Sequence, residues 1–253
     1  ITHLINGAAR RVLGEHVWQS GTQKGLEISR LDITHYRRLT QDEIFQIETL
    51  ANQAIQADLK IETTWYPRNE AESRYGFRLY QGGAVPGKDI RVVKTGDWDV
   101  EACAGTHLGS TREVGFVKIV YTERVQDGVE RLGYAVGPKA LKAVQDQEAL
   151  LSRVSGVLNA PVDKLDKTVE KFMRDYKELQ SEKRRLIKEL AEKESAAITQ
   201  TAAAETQFEG VTIVKRDFGD SIDVNRMVQT ATEVIKHNDT AVTLYFGADG
   251  KTC

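Results

Sequence analysis

Cys103 and His107 lie four residues apart in Cys103-Ala104-Gly105-Thr106-His107. A thiolate and an imidazole at that spacing can face one side of a helical turn and share a metal ion. His3 becomes a third donor where the fold brings the N-terminal segment against them. The alternative is an unrelated buried cysteine and a surface histidine. A second candidate is Gly82-Gly83-Ala84-Val85-Pro86-Gly87, where glycines and a proline expose backbone amides able to approach a phosphate, a sugar or a terminal adenosine. A wide turn between strands has the same composition. A third is His16-Val17-Trp18-Gln19-Ser20-Gly21-Thr22, whose polar side chains on a strand edge could line a pocket or simply form a surface hairpin.

The elements that must position these residues fall into three parts, and the overall pattern is α+β. Residues 1–136 mix helix and strand. Leu4, Ala8, Val12 and Leu13 recur at helical spacing, and Gly14 stops that helix. Asp32-Ile33-Thr34-His35 reads as strand-like. Thr40 followed by Glu43 is a capping box opening a helix with Ile44, Ile47, Leu50, Ala51 and Ile55 on one face. Strands are expected at 61–66, ending at Pro67, and at 90–93 and 117–121.

Residues 137–196 read as a helical arm. Asn159-Ala160-Pro161 resembles a helix start, with Asn as cap and Pro in the first turn. Val162, Leu165, Val169, Phe172, Tyr176, Leu179, Leu186 and Leu190 follow steps of three and four, broken only by Lys183. This is a heptad seam of about four repeats, on a helix of roughly 50 Å. It could meet a partner helix or pack within its own chain, for instance on an upstream helix carrying Leu141, Val144, Leu151, Val154 and Leu158. Residues 197–253 read as a linker over 197–208 and then a β-α-β unit: a strand at 211–214, a helix around Val224 to Ile235 and a strand at 241–246. Asp249-Gly250 would turn into a further, incomplete hairpin.

Composition narrows the class. Of 253 residues, 40% are hydrophobic and 28% charged, which excludes a wholly disordered chain. The formal net charge of −2 neither supports nor excludes an RNA partner, because it does not report how charge is distributed. Two cysteines, Cys103 and Cys253, make a disulfide framework an unsuitable reading and favour a reducing, cytoplasmic setting. No apolar run reaches the roughly 20 residues of a membrane span, so no membrane partner is expected. Both ends read as cut from a longer protein.

Taken in order, several blocks resemble one family, the archaeal-type alanyl-tRNA synthetases. Thr2-His3-Leu4-Ile5, Val12-Leu13-Gly14 and His16-Val17-Trp18-Gln19-Ser20-Gly21-Thr22 look like the opening of that family's editing domain. Leu31-Asp32-Ile33-Thr34-His35 resembles its next block. Asp99-Val100-Glu101-Ala102-Cys103-Ala104-Gly105-Thr106-His107, followed by Thr111, Glu113, Val114 and Gly115, resembles its metal block. Tyr80 to Gly87 and Thr122 to Leu132 look archaeal in type. The match runs to about residue 190, and the last 45 residues are looser.

The resemblance implies a zinc-dependent editing domain over 1–136, a dimerisation arm over 137–196 and a C-terminal globular domain over 197–253. It implies that His3, Cys103 and His107 are zinc ligands, with one further histidine of the family's motif falling four residues before His3. Ala104 departs from the family's usual Gly. The implied activity is hydrolysis of mischarged Ser-tRNA(Ala) and Gly-tRNA(Ala), within a parent that charges tRNA with ATP. Gln19, Ser20 and Thr22 would serve the reaction or contact the serine hydroxyl. Gly82, Gly83 and Gly87 would cradle the tRNA terminus. The implied partners are tRNA(Ala) and a second copy, bound through the arm and C-terminal domain. Competing readings are a freestanding editing protein and a catalytically inactive dimerisation and tRNA-binding fragment.

Overall fold

The computed structural model describes residues 1–81, 83, 85–200, 205–219 and 223–247. The chain divides into two compact units, Ile1–Val154 and Ser155–Cys253.

In the first unit, α1 (Thr2–Leu13) ends at Gly14, whose N–H donates to Arg10 O and whose φ of 116° suits only glycine. β1 (Gln19–Gln23) and β2 (Ser29–Thr34) form a hairpin that pairs onward with β7 (Val129–Val136) and β6 (Val117–Gln126), giving an antiparallel sheet of order β1-β2-β7-β6. The inner-face residues Leu31, Ile33, Leu132 and Tyr134 recur at period two and are fully buried. Against them pack α1, through Leu4, Ile5, Ala8 and Ala9, and α2 (Gln41–Gln56), through Ile47, Ala51, Ala54 and Ile55. The alanines let the two helices approach closely, and the buried cluster they form with the sheet fixes where α1 sits. Thr40 and Glu43 form the reciprocal capping box that their spacing predicts: Glu43 N–H donates to Thr40 Oγ1 at 3.3 Å and Thr40 N–H to Glu43 Oε2 at 2.9 Å. Gly133 is required where β7 crosses under Tyr121, since a Cβ there would lie 2.1 Å from the tyrosine ring.

A second, three-stranded antiparallel sheet has the order β3-β4-β5, from β3 (Ile61–Pro67), β4 (Asp89–Thr95) and β5 (Asp99–Ala102). α3 (Arg68–Tyr75) and a 3₁₀ turn (Gly76–Leu79) cover it, burying Ala71 and Leu79 against Ile90 and Val92. α1 also contacts β5, so the strand that leads to Cys103 and the helix that carries His3 are held side by side.

The helix α4 (Pro138–Leu158) stops at Asn159. Asn159 is not the N-cap that the Asn-Ala-Pro sequence suggests. It adopts φ 47°, the left-handed conformation asparagine tolerates at a helix end. A 3₁₀ turn (Val162–Lys164) then leads into α5 (Leu165–Gln200), 36 residues and about 54 Å long. Of the heptad positions, Val162, Val169, Phe172, Tyr176, Leu179, Leu186 and Leu190 are exposed in the single chain, and Leu165 is half-buried.

α5 runs through the segment read as the start of a linker, and β8 (Glu205–Phe208) occupies its end. The helix persists because its end is anchored by tertiary contacts. Glu194, 8% exposed, accepts from Arg226 and, at 3.2 Å, from Thr230, both on α6 (Val224–His237), and Arg216 stands 3.5 Å away. β9 (Val211–Asp217), α6 and β10 (Ala241–Phe246) form the expected β-α-β unit, with β9 and β10 parallel and β8 antiparallel on the other side of β9. The expected turn at Asp249-Gly250 lies outside the described residues. Among the described residues no helix is long and apolar enough to cross a membrane.

Candidate metal centre

β5 delivers Cys103, and α1 delivers His3. Asp99, Glu101 and Cys103 are two residues apart along an extended segment, so all three face the same way, toward α1. Cys103 N–H still donates to Arg91 O of β4 at 3.1 Å. After it the chain leaves the sheet, and residues 103–107 form an irregular loop rather than the helical turn that a four-residue spacing suggests. Arg91 shapes this loop. Its Nη1 donates to Cys103 O at 2.6 Å and Gly105 O at 2.8 Å, folding His107 back toward Cys103.

The result is a convergence of three donors. His3 Nε2 and His107 Nε2 lie 3.1 Å apart, and with Cys103 Sγ all three ligand atoms fall within 4.8 Å of one another. All three side chains are half-buried. Hydrogen bonds from His107 and then His3 hold the Cys103 thiol pKa down at about 5, against the opposing effect of burial. The site therefore favours a thiolate, the form that binds metal. Two imidazoles and a thiolate suit Zn²⁺, which takes nitrogen and sulfur donors in tetrahedral sites and needs one further ligand beyond these three.

The ligands are themselves held. His3 Nδ1 lies 2.7 Å from Glu101 Oε2 and 3.8 Å from Asp99, which leaves Nε2 as the nitrogen facing the other donors. Burial works to lower the His3 pKa, but hydrogen bonds to Cys103 and Glu101 and the charges of Glu101 and Asp99 outweigh it, and it stands at about 9. Burial, followed by the nearby Glu101, drives Asp99 well above the carboxylate range. Glu101 is held below that range: burial would raise it, and the bond to His3 prevails. Asn6 Nδ2, one turn along α1 from His3, donates to Glu101 Oε1 at 3.2 Å and to Gln81 Oε1 at 2.8 Å. Gln81, 2% exposed, also faces Gln19 N–H at 3.5 Å. One largely buried hydrogen-bond network thus joins the candidate ligand His3, the first residue of β1 and the entrance to the glycine-rich loop.

The other anticipated residues are placed as follows. Gln19, half-buried, begins β1, and Ser20 and Thr22 are exposed on it, with the Thr22 hydroxyl donating to Arg30 O at 3.0 Å. Further along the hairpin, Lys24 Nζ reaches Thr2 Oγ1 and Tyr134 OH beside the start of α1. Gly82 lies outside the described residues. Gly83 and Gly87 are exposed with φ of 109° and 113°, and nothing lies within 4 Å of a Cβ added at Gly83. Arg68 fastens the loop by donating to Val85 O and, at 2.8 Å, to Gly87 O. A cavity of about 90 Å³ beside His3 and His107 is lined also by Leu4, Thr95 and Leu108.

Glu101, Asp99, Asn6, Gln81 and Arg91 escaped the reading of single motifs. The period-two spacing of Asp99, Glu101 and Cys103 carried a signal for the first two. Nothing local marked Asn6, Gln81 or Arg91.

The family described as the threonyl and alanyl tRNA synthetase second additional domain matches residues 90–132, which include Glu101, Cys103 and His107. Over nearly its whole length the chain is similar to alanine–tRNA ligases of archaea. It is 44% identical to that of Methanosarcina barkeri over 98% of the chain and 26% of the relative. It is 53% identical to that of Pyrococcus abyssi over 75% of the chain and 21% of the relative. It is 45% identical to that of Methanopyrus kandleri over 95% of the chain and 26% of the relative. The chain spans about a quarter of the length of the relatives it matches.

Proposed function

We propose that this chain, which belongs to the alanyl-tRNA synthetase family, is the editing and dimerisation part of an alanine–tRNA ligase and hydrolyses Ser-tRNA(Ala) and Gly-tRNA(Ala). The observation that carries the reading is the convergence of His3, Cys103 and His107 within 4.8 Å, inside a segment overlapping the matched family domain.

The physical need for such a site is plain. A pocket that accepts alanine cannot exclude smaller glycine by sterics, and it rejects one added hydroxyl by only about a hundredfold. A second site must remove the errors. In the hydrolysis, water adds to the acyl carbon, the bond to the ribose oxygen breaks, and that oxygen regains a proton as the amino acid leaves. Zn²⁺, when held by His3, Cys103 and His107, supplies charge that polarises an ester or binds the substrate amino group. The chain's own residues do the rest. Glu101 fixes the tautomer and orientation of His3, since it takes the Nδ1 side and turns Nε2 inward. Arg91 pins the loop that carries His107. Gln19, Ser20 and Thr22 on β1 are the candidates to meet the serine hydroxyl, with Gln19 tied to the same buried network as His3. Gly82, Gly83 and Gly87 offer backbone amides to the tRNA terminus, with no side chain to block approach.

We assign residues 1–136 to editing, 137–196 to a helical dimerisation arm and 197–253 to a C-terminal domain that contacts the tRNA body. The exposed seam of α5, which includes a groove lined by Leu179, Leu186, Ile187 and Leu190, supports pairing with the same face of a second copy.

Deacylation of Ser-tRNA(Ala) beside Ala-tRNA(Ala), by the chain and by Cys103→Ala, tests the reading. Selective loss of serine that disappears in the variant supports it. No selectivity, in folded protein carrying zinc, refutes it. Within the site, replacing Gln19 by Leu should slow serine clearance more than glycine clearance, and equal losses would remove Gln19 from hydroxyl recognition.

A further inference from the structure

On the far side of Asp99 from His3, a cleft of about 510 Å³ opens between α1, α3, the 3₁₀ turn and the β4–β5 hairpin. Five cations line it: Arg10 and Arg11 from α1, Arg74 from α3, Arg78 from the 3₁₀ turn and Lys94 from β4. Three acids face them, and none neutralises the group. Glu15 pairs with Arg78 at the rim. Asp97, fully exposed, stands 3.9 Å from Lys94. Asp99 is 3.9 Å from Arg10 and is shared with His3.

Arg11 and Arg74 contact no carboxylate among the described residues. Arg11 sits over Trp98, its guanidinium carbon 3.8 Å from the ring centroid, and donates one bond each to Gly7 O and Trp98 O at 2.8 and 2.7 Å, leaving further N–H groups free of these carbonyls. Arg74 donates to Tyr66 OH at 3.1 Å. Arg10 is buried, at 9% exposure, and its Nη2 has no hydrogen-bond partner among the described residues. Burial, and then the charges of Arg10 and Arg78, push the Arg11 pKa down against the pull of Asp99. Like charges crowded around an open cleft, two of them with no carboxylate partner, are the preparation for an anion with several acceptor oxygens.

We propose that this cleft binds a phosphodiester of the tRNA acceptor end, anchoring the RNA backbone one side chain away from the metal ligands. The inference rests on the editing reading for the identity of the anion as RNA. It names a binding site separate from the glycine-rich loop. Arg11, stacked on Trp98 and bonded to two carbonyls, is pre-ordered, so little side-chain entropy is lost when a phosphate arrives. Arg74, Arg78 and Lys94 close the outer rim.

The test uses the whole chain and uncharged tRNA(Ala), with affinity followed across KCl concentrations by fluorescence anisotropy. Arg74→Gln and Lys94→Gln are at exposed or half-exposed positions, and their urea midpoints against the parent report folding. Each should weaken binding several-fold at 0.1 M KCl and reduce the slope of log affinity against log salt by about 0.7–0.9, the value of one phosphate contact. Lys60→Gln removes the same charge from an exposed lysine paired with Glu62 and should leave the slope at the parent value. Cleft variants with the parent slope, or a slope change no larger than that of Lys60→Gln, overturn the site. Because the assay needs no hydrolysis, its result stands apart from that of the editing reading. Cleft-dependent tRNA binding without deacylation, in folded protein carrying zinc, would refute editing and keep the site, and deacylation without cleft dependence would do the reverse.

Discussion

Replacing Glu101 by Gln tests how the candidate metal centre is built. Glu101 is 3% exposed and accepts on both oxygens, Oε2 at 2.7 Å from His3 Nδ1 and Oε1 at 3.2 Å from Asn6 Nδ2. The glutamine side chain keeps the shape but has one acceptor oxygen and one donor nitrogen. Whichever way it turns, a donor faces either the His3 N–H or the Asn6 amide, and the negative charge that supports His3 is gone. Loss of a carboxylate behind a ligating histidine weakens metal binding by about 10- to 100-fold, which is about 1.4–2.7 kcal/mol. Competition for Zn²⁺ against a chromophoric chelator reads that shift directly. Substitution with Co²⁺ should preserve the thiolate charge-transfer band, because Cys103 and His107 are untouched. Zinc affinity within twofold of the parent would refute the view that Glu101 positions His3. Loss of the cobalt–thiolate band would show instead that the change disrupted the loop at 103–107.

Four other perturbations bear on the fold and assembly. Gly133→Ala places a methyl group 2.1 Å from a ring carbon of Tyr121; it should cost about 1–3 kcal/mol in urea unfolding, and adding Tyr121→Ala should recover most of the clash. Thr40→Ala removes the cap of α2 and should cost about 1 kcal/mol. The bond from Arg37, working against burial and helped by hydrogen bonds from Thr40, lowers the Glu43 pKa from 4.5 to about 2, so its contribution is complete above pH 4.5 and is lost as pH falls toward 2; Glu43→Gln should flatten the decline in stability across that window, and an unchanged acid profile would remove the pair from the account. Leu179→Glu together with Leu186→Glu puts charge into the exposed seam of α5, and sedimentation should then show a lighter species than the parent at equal concentration; a parent that is strictly monomeric would eliminate the arm as a dimer contact.

Local chemistry made much of this protein readable without a structure. The capping box at Thr40 and Glu43, the stop at Gly14 and the apolar face of α2 depend on residues within a few positions of one another, and each appears where its pattern places it. The four-residue spacing of Cys103 and His107 marked two donors able to share a metal, and ordered blocks carried the family resemblance. Tertiary structure decided the rest. Asn159 looked like the start of a helix and is instead the end of one, because a left-handed backbone serves the α4 terminus. The Ala- and Thr-rich stretch from 197 looked like a linker, yet helix persists to Gln200 because Glu194 is anchored by side chains of a later helix and strand. His3 meets Glu101 across 98 positions of chain, and only the packing of α1 on β5 makes them neighbours. Residue type and spacing therefore determined which groups could bind a metal. Which groups orient the ligands, and which cations crowd the adjoining cleft, were decided by contacts between distant segments, which no local period encodes.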